Sequence, residues 1–140
     1  MRYTVLFSII LFTILTGCKK NKFGSAPTLK FKSVSSTIVP INSGLQFTLS
    51  FTDGEGNLSD SIFIQKIEPN CENSNFAINY EIPSFPASKD EQGDILVNFR
   101  YFDITPQCQV NDTAVFRFAI RDKDNHVSDT VSSPPIIIFH

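Results

Sequence analysis

Several residue types that support common protein functions are scarce in this chain of 140 residues. It has no tryptophan, only two histidines, and three cysteines that are far apart in the sequence. A structural zinc site needs about four nitrogen or sulfur ligands, so this supply argues against zinc. Beyond residue 17 the only tyrosines are Tyr80 and Tyr101, both within predicted strands, so an aromatic sugar-binding platform is not expected.

A basic excess and a catalytic motif are also missing. The 12 basic and 14 acidic side chains give a formal charge of −2, without the positive footprint of nucleic-acid-binding proteins. His126 has only Ser128 as a nearby nucleophile, in a short hairpin, and no nucleophile elbow supplies an oxyanion hole. We therefore predict a protein that is not an enzyme and does not bind nucleic acid.

The first residues have the order of a secretory signal. Arg2 precedes an apolar stretch at 5–15, which is shorter than the roughly 20 apolar residues of a membrane-spanning helix. Residues 15–18 (LTGC) resemble the bacterial lipobox. The resemblance implies removal of residues 1–17 and a diacylglycerol anchor on Cys18. The acyl chains would make the attachment to the membrane effectively permanent. The alternative is an ordinary signal peptide in which this cysteine stands by chance.

Lysines follow Cys18 directly, at Lys19, Lys20 and Lys22. In Bacteroidota lipoproteins an acidic stretch at this place resembles a surface-export signal, so the basic stretch favours the periplasmic face of the outer membrane, with the cell surface as the alternative. The lysines form either a solvated tether or a contact with anionic headgroups. We divide the chain into a signal peptide (1–17), a lipidated tether (18–27) and one domain (28–140).

Apolar and polar residues alternate through most of the domain. Residues 45–51 alternate without a fault, which is the period of a strand with one buried face. The other predicted strands are 29–34, 62–67, 76–82, 95–102, 115–120 and 136–139. No stretch has helical spacing over three turns, so we expect little or no helix. Seven short strands between turns rich in Pro, Gly, Asn and Asp predict an antiparallel β-sandwich.

Two segments resemble the immunoglobulin-like, fibronectin type III-like and PKD-like modules of Bacteroidota envelope proteins. Residues 51–58 (FTDGEGNL) resemble the loop after the second strand, and residues 118–128 (FAIRDKDNHVS) resemble the final hairpin. The resemblance implies a single seven-stranded immunoglobulin-like sandwich. Because the buried tryptophan of true immunoglobulin domains is missing, antibody-like details are not carried over.

Cys71 and Cys108 remain once Cys18 is assigned to the lipid. An exported protein permits a disulfide, and closing this loop would contribute roughly 3 to 4 kcal/mol in the chain-entropy model. In an up-and-down count of the strands, the third and fifth loops share one pole of the sandwich. We therefore predict a Cys71–Cys108 disulfide, with two free buried thiols as the alternative.

The opposite pole gathers acidic loops that could hold calcium. The candidate oxygen ligands are Asp53, Glu55, Asn57, Asp60, Asp122 and Asp124. Calcium takes six to eight oxygens, and the alternate-residue spacing lets a loop turn several oxygens inward. No complete EF-hand pattern is present, so we prefer the interpretation that these residues form soluble turns, with calcium as the alternative.

Three tripeptides resemble the Asp-Ser/Thr-aliphatic O-glycosylation sites of exported Bacteroidota proteins. They place the modified hydroxyls at Ser61, Thr113 and Thr130. The alternative is that these are ordinary polar residues at strand starts.

The sequence therefore predicts a membrane-anchored binding module that uses the loops of a β-sandwich to contact an envelope protein or glycan. A structural or accessory role with a calcium-stiffened acidic pole is the runner-up. A carbohydrate-binding module or small envelope hydrolase comes third, and the fold alone does not choose among ligands.

Overall fold

The computed structural model describes residues 22–58, 60–83, 86 and 88–140, and these residues form a β-sandwich. The strands are β1 (Thr28–Val34), β2 (Ile38–Val39), β3 (Leu45–Asp53), β4 (Ser61–Ile67), β5 (Phe76–Glu81), β6 (Glu91–Phe99), β7 (Asp112–Arg121), β8 (Val131–Ser132) and β9 (Ile136–Ile138). A 3-10 turn at Glu72–Ser74 and one helical turn, α1 (Tyr101–Ile104), lie between strands. The all-β prediction is confirmed.

Two sheets make up the sandwich. One has the order β1-β3-β6, and the other has the order β2-β9-β7-β4-β5 with β8 beside β7. The pairing is antiparallel except between β2 and β9, which run parallel, so the prediction of a wholly antiparallel fold is wrong for this pair. No helix among the described residues is both long and apolar enough to cross a membrane.

Phenylalanine rings from both sheets fill the core. The ring centroid of Phe47 on β3 lies 4.8 Å from that of Phe116 and 5.1 Å from that of Phe118, both on β7. All three side chains are fully buried. These contacts join the two sheets, because Phe47 belongs to one and Phe116 and Phe118 to the other. Burying each phenylalanine stabilises the packing by roughly 1.5 to 3 kcal/mol.

The seven predicted strands are all present, but the described residues also form the two-residue strands β2 and β8, and β6 is displaced from its predicted range of 95–102. The prediction missed its start at Glu91, because the inward positions there are Glu91 and Gly93 and the hydrophobic alternation is absent. A Cβ added to Gly93 would lie 3.0 Å from the Phe51 ring, so the missing side chain makes room for that ring. After Phe99 the chain turns into α1, capped by reciprocal bonds between Arg100 and Asp103.

The connections between strands collect at two ends of the sandwich. We call residues 54–58, 60, 82–83, 88–90 and 122–127 the acidic pole, and residues 40–44, 68–75, 100–111 and 139–140 the disulfide pole. At the disulfide pole the Cα atoms of Cys71 and Cys108 are 5.8 Å apart and the sulfurs are bonded. The predicted disulfide, and the sharing of one pole by its two loops, are confirmed.

Candidate functional site

Asp53 and Asp122 are fully buried, and each carboxylate organises its own loop. Asp53 accepts hydrogen bonds from the backbone N–H groups of Glu55 and Asn57, at 3.3 and 2.8 Å. Asp122 accepts the backbone N–H of His126 at 2.8 Å, and its other oxygen lies 2.9 Å from His126 Nδ1. Both acids therefore act as turn-forming residues, the use that the sequence favoured.

Three of the four remaining predicted calcium ligands, Asn57, Asp60 and Asp124, also have side-chain partners. Asp124 accepts a hydrogen bond from the Asn57 side chain. Asp60 forms an ion pair with Arg121 at 2.8 Å, and this hydrogen-bonded guanidinium lowers the pKa of the Asp60 carboxyl below its ordinary value. The structure thus brings the six predicted residues to one end of the sandwich, but most of them form hydrogen bonds or ion pairs with each other or with neighbouring residues.

One group at the acidic pole has the compactness that a metal ion requires. Glu55, Asp122 and His126 each offer a ligand atom within 4.8 Å of the others. The hydrogen bond with Asp122 raises the pKa of the partly exposed His126 imidazole, so this histidine and carboxylate already partner one another. His126 was not among the predicted ligands; its position four residues after Asp122 in the hairpin is the signal that could have found it.

The start of the described chain is fastened to the acidic pole. Asp90 Oδ1 accepts the backbone N–H groups of Lys22 and Phe23, at 2.6 and 3.1 Å. The backbone N–H of Gly54 donates to the carbonyl of Gly24 at 3.1 Å. A Cβ at Gly54 would collide with the carbonyl oxygens of Phe23 and Gly24, so only glycine permits this approach.

Asp90 reaches this position through an unusual backbone conformation. Its φ angle is +57°, in the left-handed region, and its N–H donates to the Gly54 carbonyl at 3.2 Å. Aspartate is one of the residues that tolerates this region. No sequence pattern indicated this contact beyond a turn-forming aspartate. Six of the ten residues of the predicted tether, 22–27, are described, and residues 22–24 are hydrogen-bonded to the domain.

A buried ion pair lies near the disulfide pole. The side chains of Lys66 and Glu68 are 1% and 0% exposed, and Lys66 Nζ lies 2.8 Å from Glu68 Oε1. The ammonium also donates to the Ile104 carbonyl at 2.6 Å, whereas Glu68 Oε2 has no hydrogen-bond partner among the described residues. Burial lowers the pKa of Lys66. Lys66 continues the inward positions of Ile62 and Ile64, so the strand period could have identified it.

Large apolar side chains are exposed at the disulfide pole. The exposed fractions are 77% for Phe102, 54% for Ile41, 52% for Val110 and 38% for Phe139. They lie on three segments of this pole, 40–44, 100–111 and 139–140, and the last two are joined by a hydrogen bond from the Tyr101 hydroxyl to the Phe139 carbonyl at 2.8 Å. Grouped apolar exposure of this kind marks interaction surfaces in soluble domains.

A second apolar feature lies between the free edges of β5 and β6. It is a cleft of about 280 Å³ whose lining includes Ile64, Val97 and Phe99. Tyr80, predicted to pack in the core or across strands, stands at this cleft with 51% of its surface exposed. Tyr101, predicted in a strand, is instead buried in α1.

The three predicted glycosylation residues differ in accessibility. Thr113 and Thr130 are exposed, whereas Ser61 is buried and its hydroxyl donates to Asp60 at 2.8 Å. Modification stays a prediction, and Ser61 is the least accessible of the three.

Comparison with known proteins reveals similarity at the level of fold. No family model and no curated protein sequence matches this chain. Spo0M, a sporulation control protein from Bacillus subtilis, matches with a TM-score of 0.50 at 12% identity, over 84% of this chain and 51% of that chain. A Niemann-Pick type C2 protein from the Japanese carpenter ant matches at 0.43 and 11% identity, over 87% of this chain and 99% of that chain.

Only the fold is shared. This chain spans about half the length of the Spo0M chain, and at this identity the match carries no information on binding or activity.

Proposed function

We propose that this protein is an envelope lipoprotein, anchored through Cys18, whose immunoglobulin-like sandwich serves as a non-enzymatic binding module. One observation carries the proposal: the tether meets the domain at the acidic pole, whereas exposed apolar side chains gather at the disulfide pole. An anchor on Cys18 would leave the disulfide pole free to meet a partner. The proposed location is the periplasmic face of the outer membrane.

The chemistry of the disulfide pole favours a protein partner over a glycan. Its exposed rings belong to Phe102 and Phe139, which lack the polar group by which tyrosine and tryptophan serve at mixed surfaces. The non-enzymatic assignment draws support from Ser128, whose hydroxyl donates to the Asp129 carbonyl at 2.9 Å. A nucleophilic serine would instead donate to a general base such as His126.

The anchor is tested by mass spectrometry, since Cys18 lies outside the described residues. Mature protein from its native membrane should lack residues 1–17 and carry acyl mass on Cys18. A Cys18→Ser variant should accumulate as unprocessed precursor. A mature protein that is cleaved elsewhere and stays in the aqueous fraction would overturn the lipoprotein assignment.

The binding surface is tested by site-specific photo-crosslinking in intact cells. A photoreactive residue at position 102 should yield a discrete cross-linked product, and the same residue at position 123 on the acidic pole should not. Val110→Ser should reduce the product from position 102, because it removes another exposed apolar side chain of the disulfide pole without touching the core. Identical products from both positions would refute a specific surface at the disulfide pole.

The alternative role, a structural module stiffened by calcium, has a specific basis at the acidic pole. Buried oxygens of Asn57 and Glu91 have no hydrogen-bond partner among the described residues. Burial, together with the nearby Asp53 carboxylate, raises the pKa of the Glu91 carboxyl above its ordinary value. A bound cation would give such oxygens a partner and would stabilise the charged form of Glu91. Calcium-dependent thermal stability is the direct test.

A further inference from the structure

We infer that the acidic pole is the membrane-facing surface of this protein, held against the lipid headgroup layer by the packing of residues 22–24 on the domain. This inference rests on the proposed lipid anchor at Cys18. It assigns the two poles opposite roles: one faces the bilayer and the other faces the envelope space.

Covalent geometry limits how far the domain can stand from the anchor. Four peptide units separate Cys18 from Lys22. Even fully extended, such a segment spans about 14 Å, whatever conformation it adopts. Because the Lys22 backbone is bonded to Asp90, the acidic pole must lie within about that distance of the anchored cysteine.

Three contacts together form the clamp that sets this limit. Asp90 accepts two backbone N–H groups from residues 22 and 23, and Gly54 donates to the carbonyl of Gly24. If residues 22–27 were released, the free segment would run from Cys18 to the start of β1 at Thr28. Its extended length would rise to about 35 Å, enough for the domain to turn over on the membrane.

The length of the strands places the disulfide pole far from the membrane when the clamp is closed. β7 has ten residues and runs from the disulfide pole to the acidic pole. At about 3.3 Å per residue it separates the two poles by about 30 Å. With the strands upright on the membrane, as the inference requires, the exposed side chains of Phe102 and Val110 lie well beyond the headgroup layer.

The absence of tryptophan allows a direct test with single fluorescent reporters. Lys123→Trp places a reporter on the exposed hairpin of the acidic pole, and Phe102→Trp places one on the disulfide pole. The lipidated full mature chain carrying either substitution is reconstituted into phosphatidylcholine vesicles that contain phosphatidylcholine with a nitroxide headgroup, a short-range quencher. The Lys123→Trp protein should lose most of its fluorescence, and the Phe102→Trp protein should lose little. Equal quenching, or the reverse order, would overturn the inference.

The clamp itself is tested by Asp90→Gly in the Lys123→Trp background. Glycine accepts the left-handed backbone at position 90 while removing the carboxylate that binds the tether. Quenching should then decrease, because the domain gains freedom to reorient. Asn125→Gly is the matched control, since Asn125 also has a positive φ angle of 68° at the acidic pole and its backbone N–H donates to the Asp122 carbonyl within its own hairpin. Unchanged quenching in Asp90→Gly, or an equal loss in Asn125→Gly, would contradict the role of the clamp.

Failure of the lipid anchor can be separated from failure of this orientation. If mass spectrometry finds no acyl group on Cys18, the lipoprotein assignment fails. A maleimide phospholipid can then be coupled to the Cys18 thiol of the 18–140 chain, because Cys71 and Cys108 are occupied by their disulfide. The quenching order of the two tryptophan variants decides the orientation in that case as well.

Discussion

Replacing Lys66 with methionine should destabilise the domain strongly, because it leaves a buried carboxylate without its counter-charge. Glu68 is 0% exposed, and its ion partner is the Lys66 ammonium at 2.8 Å. Removing one member of a buried pair costs about 3 to 5 kcal/mol. A small domain has a total stability of about 5 to 15 kcal/mol, so Lys66→Met would remove a large part of it.

Replacing both members should be far less harmful than replacing one. In the Lys66→Met, Glu68→Leu double variant neither position carries a charge, and such replacements are often neutral or stabilising by about 1 to 4 kcal/mol. The assay is urea unfolding of the wild type, both single variants and the double variant, with the midpoint converted to free energy through the measured slope. The four proteins form a double-mutant cycle that isolates the coupling between the two residues.

An exposed pair on the same domain provides the control. Lys32 and Asp94 are 2.6 Å apart, but their side chains are 56% and 40% exposed. Exposed pairs contribute about 0 to 1 kcal/mol, so Lys32→Met should shift the midpoint little. The reasoning would be refuted if Lys66→Met behaved like Lys32→Met, or if the double variant were as unstable as the Lys66→Met single variant.

Three further measurements address the disulfide, the histidine and calcium. Replacing Cys71 and Cys108 with alanine should lower the free energy of unfolding by about 4 kcal/mol in the chain-entropy model, and intact-mass measurement should show a two-dalton gain on reduction of the native protein. The pKa of His126 is raised above its ordinary value of 6.5, so its contribution to stability is fully present below pH 6.5 and is lost as pH rises through the higher folded-state value. Melting temperature should therefore fall more steeply with pH above 6.5 in the wild type than in His126→Gln, and identical profiles would contradict this linkage. If calcium stiffens the acidic pole, millimolar calcium should raise the melting temperature relative to excess chelator, and Asp122→Asn should abolish the rise; an unchanged melting temperature would remove that alternative.

Much of the fold could be predicted because the strand pattern is strong. The alternation in β3 buries Leu45, Phe47, Leu49 and Phe51 as the period requires. The two-residue strands β2 and β8 were missed because so short a segment has no period to detect. The polar beginning of β6 was missed because Glu91 and Gly93 occupy its inward positions.

The candidate sites were only partly predictable, because their chemistry depends on partners that are distant in sequence. The pairing of Cys71 with Cys108 followed from assigning Cys18 to the lipid, and counting strands between the poles made it geometrically coherent. The contact between Asp90 and the backbone of Lys22 spans 68 residues and involves N–H groups that every residue type carries. The burial of Lys66 was implicit in its alternation with Ile64, but its Glu68 partner follows the end of the strand and lies outside that pattern.

The parallel pairing of β2 with β9 has a consequence for when this chain can fold. Ile38 pairs with Ile137 and Val39 with Ile138, so one edge of the larger sheet joins segments about 100 residues apart. Bringing such distant segments together costs loop-closure entropy before the contacts between them can form. The sheet therefore cannot be completed until residues 136–138 are available. When a chain emerges from its amino end, β4, β5 and β7 can therefore pair first, and the β2–β9 edge closes last.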